Sequence, residues 1–378
     1  MAAMSAAVEH VNVAAYSIPT DAPESDGTYE WDRTVLVVVE VRCAGHTGLG
    51  YTYADASTAR LIHDHLAPLL FQHDPVNIPA LWIAMGCKVR NLGRPGIASM
   101  AISAVDVALW DLKAKLHDQP LYALLGAARD AVPVYGSGGF TSYSPKQLRD
   151  QLGGWAREGI PRVKMKVGRN PDQDIERARI ARDAIGPDVA LYVDANGAYS
   201  RKQALAFAEK YAELGVVWFE EPVSADDLEG LHLIRDRAPA GMAIAAGEYG
   251  YQPLYFRRML EAGAVDVMQA DATRCGGVTG LLKAAYLAEA FELPISTHCA
   301  PALHLHPCLA LTTTIRPMEY FHDHVRIEAM LFDGTVKPIG GALHADPGRP
   351  GMGLTFKHAD AAKYKIWDAQ QGDRTKPA

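Results

Sequence analysis

Three carboxylates, Asp194, Glu220 and Glu248, each arrive just after a short apolar run, and such runs recur about 20–30 residues apart, the spacing of successive β-then-α units. Carboxylates gathered at one place repel one another, so either their pKa values rise or a cation holds them together. With oxygen donors and no nearby cysteine, the hard ion that leaves positions open for water and substrate is Mg²⁺. Lys164 and Lys166, in Val163-Lys164-Met165-Lys166-Val167-Gly168, are two apart and therefore share one side of a strand. One is suited to hold a carboxylate; the other, its pKa lowered by neighbouring cations, is suited to act as a base. Asp271 and His298 end two further runs, on strands expected to be adjacent, where the carboxylate orients and charge-stabilises the imidazole as a general base without a serine nucleophile. Glu319 belongs to the last run. A competing arrangement, a zinc cluster of His298, His304 and His306 with His322 and His324, lacks a companion acid or Cys at a familiar spacing and is interrupted by Pro307.

The elements that position these groups are apolar runs at 132–135, 163–166, 191–193, 216–219, 243–245, 265–268, 294–297 and, least clearly, 318–320, most of them followed by an Ala- and Leu-rich amphipathic helix. Such repeated units fit a (β/α)8-type barrel better than a doubly wound sheet, and the polar residues then fall at the C-terminal strand ends, where barrels build active sites. Ahead of the barrel come a strand at 11–16, a polar segment at 19–33 and a β-branched strand at 34–41. After Gly45, Gly48 and Gly50 the chain is expected to turn helical, with Val105, Leu109, Leu112 and Leu116 on one face. The helix breaks at His117-Asp118-Gln119-Pro120, which sets a boundary near Gly126 between an α+β unit, 1–125, and the barrel, 126–350.

The chain has 378 residues, with 37 basic against 44 acidic side chains and a net charge of −7, so it carries no sequence-wide positive field for nucleic acid. The apolar run 35–39 falls far short of the roughly 20 residues that span a bilayer, so no membrane partner is expected. The 5 cysteines are scattered without a C-x-x-C pair, and the first residues carry no basic leader; the expected home is a reducing cytoplasm. Gly45, Gly48 and Gly50 precede no P-loop lysine or dinucleotide fingerprint.

Taken together, several motifs resemble the enolase superfamily, and within it the mandelate racemase subgroup. They are the helix Ala104-Val105-Asp106-Val107-Ala108-Leu109-Trp110-Asp111-Leu112-Lys113-Ala114-Lys115, the Lys-x-Lys strand, Asp194-Ala195-Asn196-Gly197, Glu220-Glu221-Pro222, Gly247-Glu248, and Asp271 shortly before Gly276-Gly277. The resemblance covers nearly the whole chain. It implies a modified TIM barrel, (β/α)7β, under an N-terminal α+β capping domain completed by the C-terminal segment 351–378, with a mobile specificity loop at about 17–33. It further implies Mg²⁺ on Asp194, Glu220 and Glu248, Lys166 as one base and His298 with Asp271 as the base or acid opposite. Lys164 would hold the substrate carboxylate, Asn196 would lie beside metal and substrate, and Glu319 would hydrogen-bond the enediolate. Asp271, where the muconate-cycloisomerase and dipeptide-epimerase subgroups carry lysine, argues against those two.

The polar segment Pro19–Glu30 is rich in hydroxyl and carboxylate groups and suits a polyhydroxylated substrate, with Thr20, Asp21 and, past the glycines, Tyr53 as expected substrate contacts. The expected activity is therefore a Mg²⁺-dependent dehydratase of an aldonate or aldarate, acting on a small-molecule carboxylate in a homo-oligomer. A 2-hydroxy-acid racemase or epimerase and a non-catalytic metal-binding barrel are the alternatives.

Overall fold

In the computed structural model, which describes residues 7–372, the N-terminal strands β1 (Val8–Ser25), β2 (Glu30–Cys43) and β3 (His46–Tyr53) form an antiparallel sheet. Val11, Val13, Val37, Val39 and Val41 bury into one core and Ile18, Leu36 and Val38 into another, so these β-branched and aliphatic residues cover both faces of the sheet's centre. Residues 1–6, part of the segment read as lacking a leader, and 373–378, the end of the returning segment, lie outside the described residues.

Two expectations for this region are corrected. The segment 17–33 is the paired end of a hairpin: Ile18 faces Thr34, Pro19 faces Arg33, and after an irregularity at 20–23 Glu24 faces Trp31. Only Asp26–Tyr29 turns, closed by Asp26 Oδ1 accepting the Thr28 and Tyr29 N–H groups at 2.6 and 2.7 Å. The polar composition conceals the strands because their backbone groups are satisfied across the ladder while several polar side chains, Glu24 and Ser25 among them, are buried. Likewise Gly45, Gly48 and Gly50 do not lead straight into a helix, since β3 runs through the last two. A Cβ on Gly48 would stand 2.2 Å from the Ala108 carbonyl and one on Gly50 2.1 Å from that of Ala104, so these glycines let the sheet lie directly on the helix Ile97–Leu116.

The apolar runs become eight parallel strands: β4 (Val132–Gly138), β5 (Arg162–Lys166), β6 (Ala190–Asp194), β7 (Val216–Glu220), β8 (Ala243–Ala246), β9 (Val267–Ala270), β10 (Ile295–Thr297) and β11 (Met318–Phe321). Their order around the sheet is β10-β9-β8-β7-β6-β5-β4-β11. The ring closes where the segment before β11 meets β10, with Ile295 N–H bonded to the Thr314 carbonyl at 2.9 Å and Arg316 N–H to the Ile295 carbonyl at 2.8 Å. A helix follows each strand, including His322–Leu331 after β11. The last strand, β12 (Lys365–Gly372), returns to pair antiparallel with β1. Among the described residues no helix is long and apolar enough to cross a membrane.

Buried polar bonds fasten the N-terminal unit to the barrel. Asp106 accepts the N–H and hydroxyl of Thr279 at 2.9 and 2.5 Å, at the start of the helix after β9. Asp111 accepts the N–H groups of Leu49 and Met352, both at 2.7 Å, and Tyr51 donates to Glu328 at 2.7 Å. These acids sit in the two helices for anchoring and do not line the cavity at the barrel mouth.

The Gly50 contact is testable. A Gly50→Ala substitution sets a methyl against backbone that cannot swing away, and overpacking of this kind costs about 1–3 kcal/mol. The urea midpoint of the variant should fall by a corresponding amount with an unchanged slope; parental stability would mean the sheet and helix can separate there.

Candidate active site

Parallel register places the acids side by side. Lys166 pairs with Asp194 across β5 and β6, and Asp194 pairs with Glu220 across β6 and β7, so the three stand at one level of the ring. Glu248 follows Gly247, whose φ of 136° belongs to glycine and whose missing Cβ would lie 2.1 Å from the Gln269 carbonyl. One ligand oxygen from each of Asp194, Glu220 and Glu248 lies within 4.8 Å of the others. All three are buried, and Glu248 Oε2 has no hydrogen-bond partner. Burial, with Asp194 and Glu319 nearby, outweighs Lys164 and pushes the Glu220 carboxyl well above the usual range. An orphaned oxygen among crowded, oxygen-only donors fits a hard divalent cation, and these three residues would hold Mg²⁺.

The lysines are not arranged as expected. Lys164 Nζ bonds to Glu220, lies 2.8 Å from Glu319 Oε1 and 3.4 Å from Asp194 Oδ2, deep beneath the mouth. Lys166 Nζ is 2.5 Å from Asp194 Oδ2 and reaches the cavity. Burial alone would lower both pKa values, but the adjacent carboxylates raise them above the ordinary lysine value. The expected lowering reverses because each ammonium has carboxylates, rather than other cations, as its closest neighbours.

Asp271 and His298 end adjacent strands, β9 and β10, with His298 Nδ1 2.8 Å from Asp271 Oδ2. Burial would raise the Asp271 carboxyl, yet the His298 bond and charge, with His304 and Arg274, hold it well below its usual value. A carboxylate on Nδ1 sets the tautomer that leaves Nε2 as the working nitrogen. That nitrogen lies 3.5 Å from Glu248 Oε2 and 3.2 Å from Cys299 Sγ. Glu319 is fixed by Ser137 Oγ at 2.6 Å and Cys299 N–H at 2.8 Å. The chain is strained where these groups emerge: Asn196, Glu221, Cys299 and Ala300 all have φ between 38° and 52°.

A cavity of about 370 Å³ opens over this set, lined from the barrel by Lys166, Asn196, Glu248, Asp271 and His298, and from the cap by residues including Asp26, Thr28, Trp31, Arg33 and Tyr53. Thr20 and Asp21 lie outside it. The irregularity at 20–23 carries them past the mouth, and Asp21 instead reaches His322 at 3.0 Å. The histidines do not assemble a zinc cluster around His298. His304 accepts the Ala272 N–H at 2.8 Å, His324 stacks on Tyr53, and burial lowers His306 to about 4 and His324 to about 3.

Residues that the strand pattern did not reveal also shape the site. Arg274 Nη1 lies 3.2 Å from Glu248 Oε1 and its Nε 3.6 Å from Asp271 Oδ2, while the Trp218 indole donates to Glu220 Oε2 at 3.0 Å. Arg274 stands one helical turn after Asp271, a spacing that offers a signal once Asp271 is suspected.

Residues 11–126 match the mandelate racemase/muconate lactonizing enzyme N-terminal domain family, and residues 147–361 the enolase C-terminal domain-like family. The L-talarate/galactarate dehydratase of Salmonella typhimurium is 31% identical over 92% of this chain and 89% of its own. Its crystal structure liganded with Mg and L-lyxarohydroxamate superposes with a TM-score of 0.89 at 29% identity, covering 99% of this chain and 97% of that one. The 3,6-anhydro-alpha-L-galactonate cycloisomerase of Streptomyces coelicolor is 32% identical over 92% of this chain and 97% of its own. A mandelate racemase/muconate lactonizing enzyme-like protein from Rubrobacter xylanophilus is 53% identical in its crystal structure, with a TM-score of 0.93, covering 95% of this chain and 100% of that one.

Mg²⁺ added to chelator-treated protein should raise its melting temperature with the logarithm of its concentration, the stabilisation reaching about 2.7 kcal/mol at a hundredfold excess over Kd. Glu248→Gln should remove most of that shift. A melting temperature indifferent to Mg²⁺ in the parent chain would refute the ligand assignment.

Proposed function

The chain belongs to the mandelate racemase/muconate lactonizing enzyme family of the enolase superfamily, and from that premise we propose that it dehydrates an acid sugar, an aldonate or aldarate, to the 2-keto-3-deoxy acid. The observation that carries this reading is the placement of Lys166 and the Asp271–His298 pair on strands far apart around the ring, both facing the cavity above the three carboxylates. Bound Mg²⁺ would supply Lewis acidity and positive charge at the substrate carboxylate. Lys166, once its ammonium has given up a proton, or His298 through Nε2 removes the α-proton. The electron pair of that C–H bond moves into the carboxyl group, where the field of Lys164 and Lys166 meets the second negative charge. His298, protonated, then gives its proton to the departing β-hydroxyl as the C–O bond breaks, releasing water and an enol that tautomerises to the keto acid. Asp271 steadies the imidazolium throughout.

The lid supports a polyhydroxylated substrate, since Asp26, Thr28 and Asp55 offer hydroxyl partners. Arg33 adds a fork-shaped cation that suits a second carboxylate and so favours an aldarate. Racemisation by the same two bases is the competing outcome, consistent with their placement on distant strands.

A panel of aldonates and aldarates incubated with Mg²⁺ should yield a 2-keto acid from at least one member. Lys166→Ala and His298→Asn should each lower kcat at least about 100-fold. Exchange of the α-proton in D₂O without any keto product would replace dehydration with racemisation, and full turnover by both variants would refute the base assignment. Among active substrates, Arg33→Ala should raise KM for aldarates more than for aldonates; equal effects would remove the second-carboxylate reading.

A further inference from the structure

A second group of ligand-type side chains lies where the hairpin meets the barrel. Asp21 and Glu24 come from β1 and His322 from the first residue of the helix after β11; one ligand atom from each falls within 4.8 Å of the others. His322 Nε2 already stands 3.0 Å from Asp21 Oδ2. Glu24 is completely buried, and only one of its oxygens is used: Oε2 accepts the Trp31 indole N–H at 2.8 Å, whereas Oε1 has no partner. The surroundings do little to relieve this carboxyl. Burial, then the neighbouring Asp323, push it up to about 9, with Asp21 adding to the rise and Trp31 and Arg326 opposing it. The nearest guanidinium, Arg326, is committed to Asp323 and to the Pro19 carbonyl.

A buried carboxyl with an unused acceptor, a second carboxylate and an imidazole nitrogen make a donor set for a metal ion. We propose that Asp21, Glu24 and His322 bind a divalent transition-metal ion, of which Zn²⁺ is the representative, at a site separate from the Asp194–Glu220–Glu248 centre. One nitrogen and two oxygens with a fourth position for water suit Zn²⁺, whereas Mg²⁺ prefers oxygen alone. Zn–N and Zn–O distances of about 2.0–2.2 Å imply ligand atoms about 3.5 Å apart in a tetrahedron, so each side chain need close by only about 1 Å. An entry route exists, because the side chains of Asp21 and His322 remain 46% and 25% exposed.

The position gives the ion a role. The ligands join the hairpin arm to the helix that follows the last barrel strand, and the next stretch of that hairpin carries Asp26, Thr28 and Trp31 into the cavity wall. The metal is a clip that fixes the lid, so its effect falls on substrate affinity, while the barrel groups keep their places.

The test titrates Co²⁺, a coloured substitute for Zn²⁺, into the full-length chain saturated with Mg²⁺. The expected result is one Co²⁺ per chain with visible bands of four-coordinate intensity, retained in Glu248→Gln, which damages only the other centre. His322→Gln and Asp21→Asn, both at partly exposed positions, should each weaken Co²⁺ binding at least tenfold and leave the Mg²⁺-induced melting shift unchanged. Glu24→Gln should do the same if it folds. Absence of Co²⁺ binding in saturating Mg²⁺, loss of the bands in Glu248→Gln alone, or undiminished binding in both His322→Gln and Asp21→Asn would overturn the site. These readouts do not depend on the substrate or on turnover.

Discussion

Charge crowding at the barrel mouth is the constraint on which the rest of the site depends. Asp194, Glu220, Glu221, Glu248, Asp271 and Glu319 are all buried there, and the permanent cations within reach are Lys164, Lys166 and Arg274. Removing a carboxylate from water costs several kcal/mol unless an opposite charge and hydrogen bonds replace the solvent. The strand register answers this by placing cation beside anion, as with Lys166 and Asp194. What stays unpartnered, Glu248 Oε2 beside Asp194 and Glu220, marks the place for a metal. The excess of buried negative charge at this place favours a divalent ion.

Backbone geometry holds the charges in place. Hydrogen-bonded parallel strands cannot slip past one another without turning every side chain to the opposite face. The left-handed conformations at Asn196, Glu221, Cys299 and Ala300 all come immediately beyond strand ends that carry site residues. Such conformations persist only where the surroundings over-determine them. At Cys299 the determinant is visible, since its N–H is spent on Glu319, which Ser137 holds from the neighbouring strand. Strain, register and charge pairing thus converge on the same few positions.

That convergence explains which parts were legible in the sequence. Parallel barrel strands bury both faces and read as short apolar runs, so the polar residue ending each run stood out, and the runs fell within a few residues of the strands observed. The apolar run at 265–268 starts two residues ahead of the strand at 267–270, because Val265 is buried in the core while Asp266 turns to Arg235 and the Ile244 N–H. Hairpin residues 17–33 gave no such contrast, since one side faces water and the other a polar cavity. Nor could spacing foretell that the lysines would be surrounded by acids, because Lys164 meets Glu319 from a strand more than 150 residues away in the chain, reached only when the ring closes through β4.

The division between lid and barrel has a chemical consequence. The bonds that join them, Asp106 to Thr279, Asp111 to Met352 and Tyr51 to Glu328, involve residues that do not line the cavity. The groups lining the cavity from the lid, among them Asp26, Thr28 and Arg33, extend from the far end of a hairpin whose other end is locked into the sheet by β12 and β3. The charged groups of the mouth in turn lie at strand ends fixed by register. The two walls of the cavity are thus held by different interactions, strand register on the barrel side and a side-chain-closed turn on the lid side.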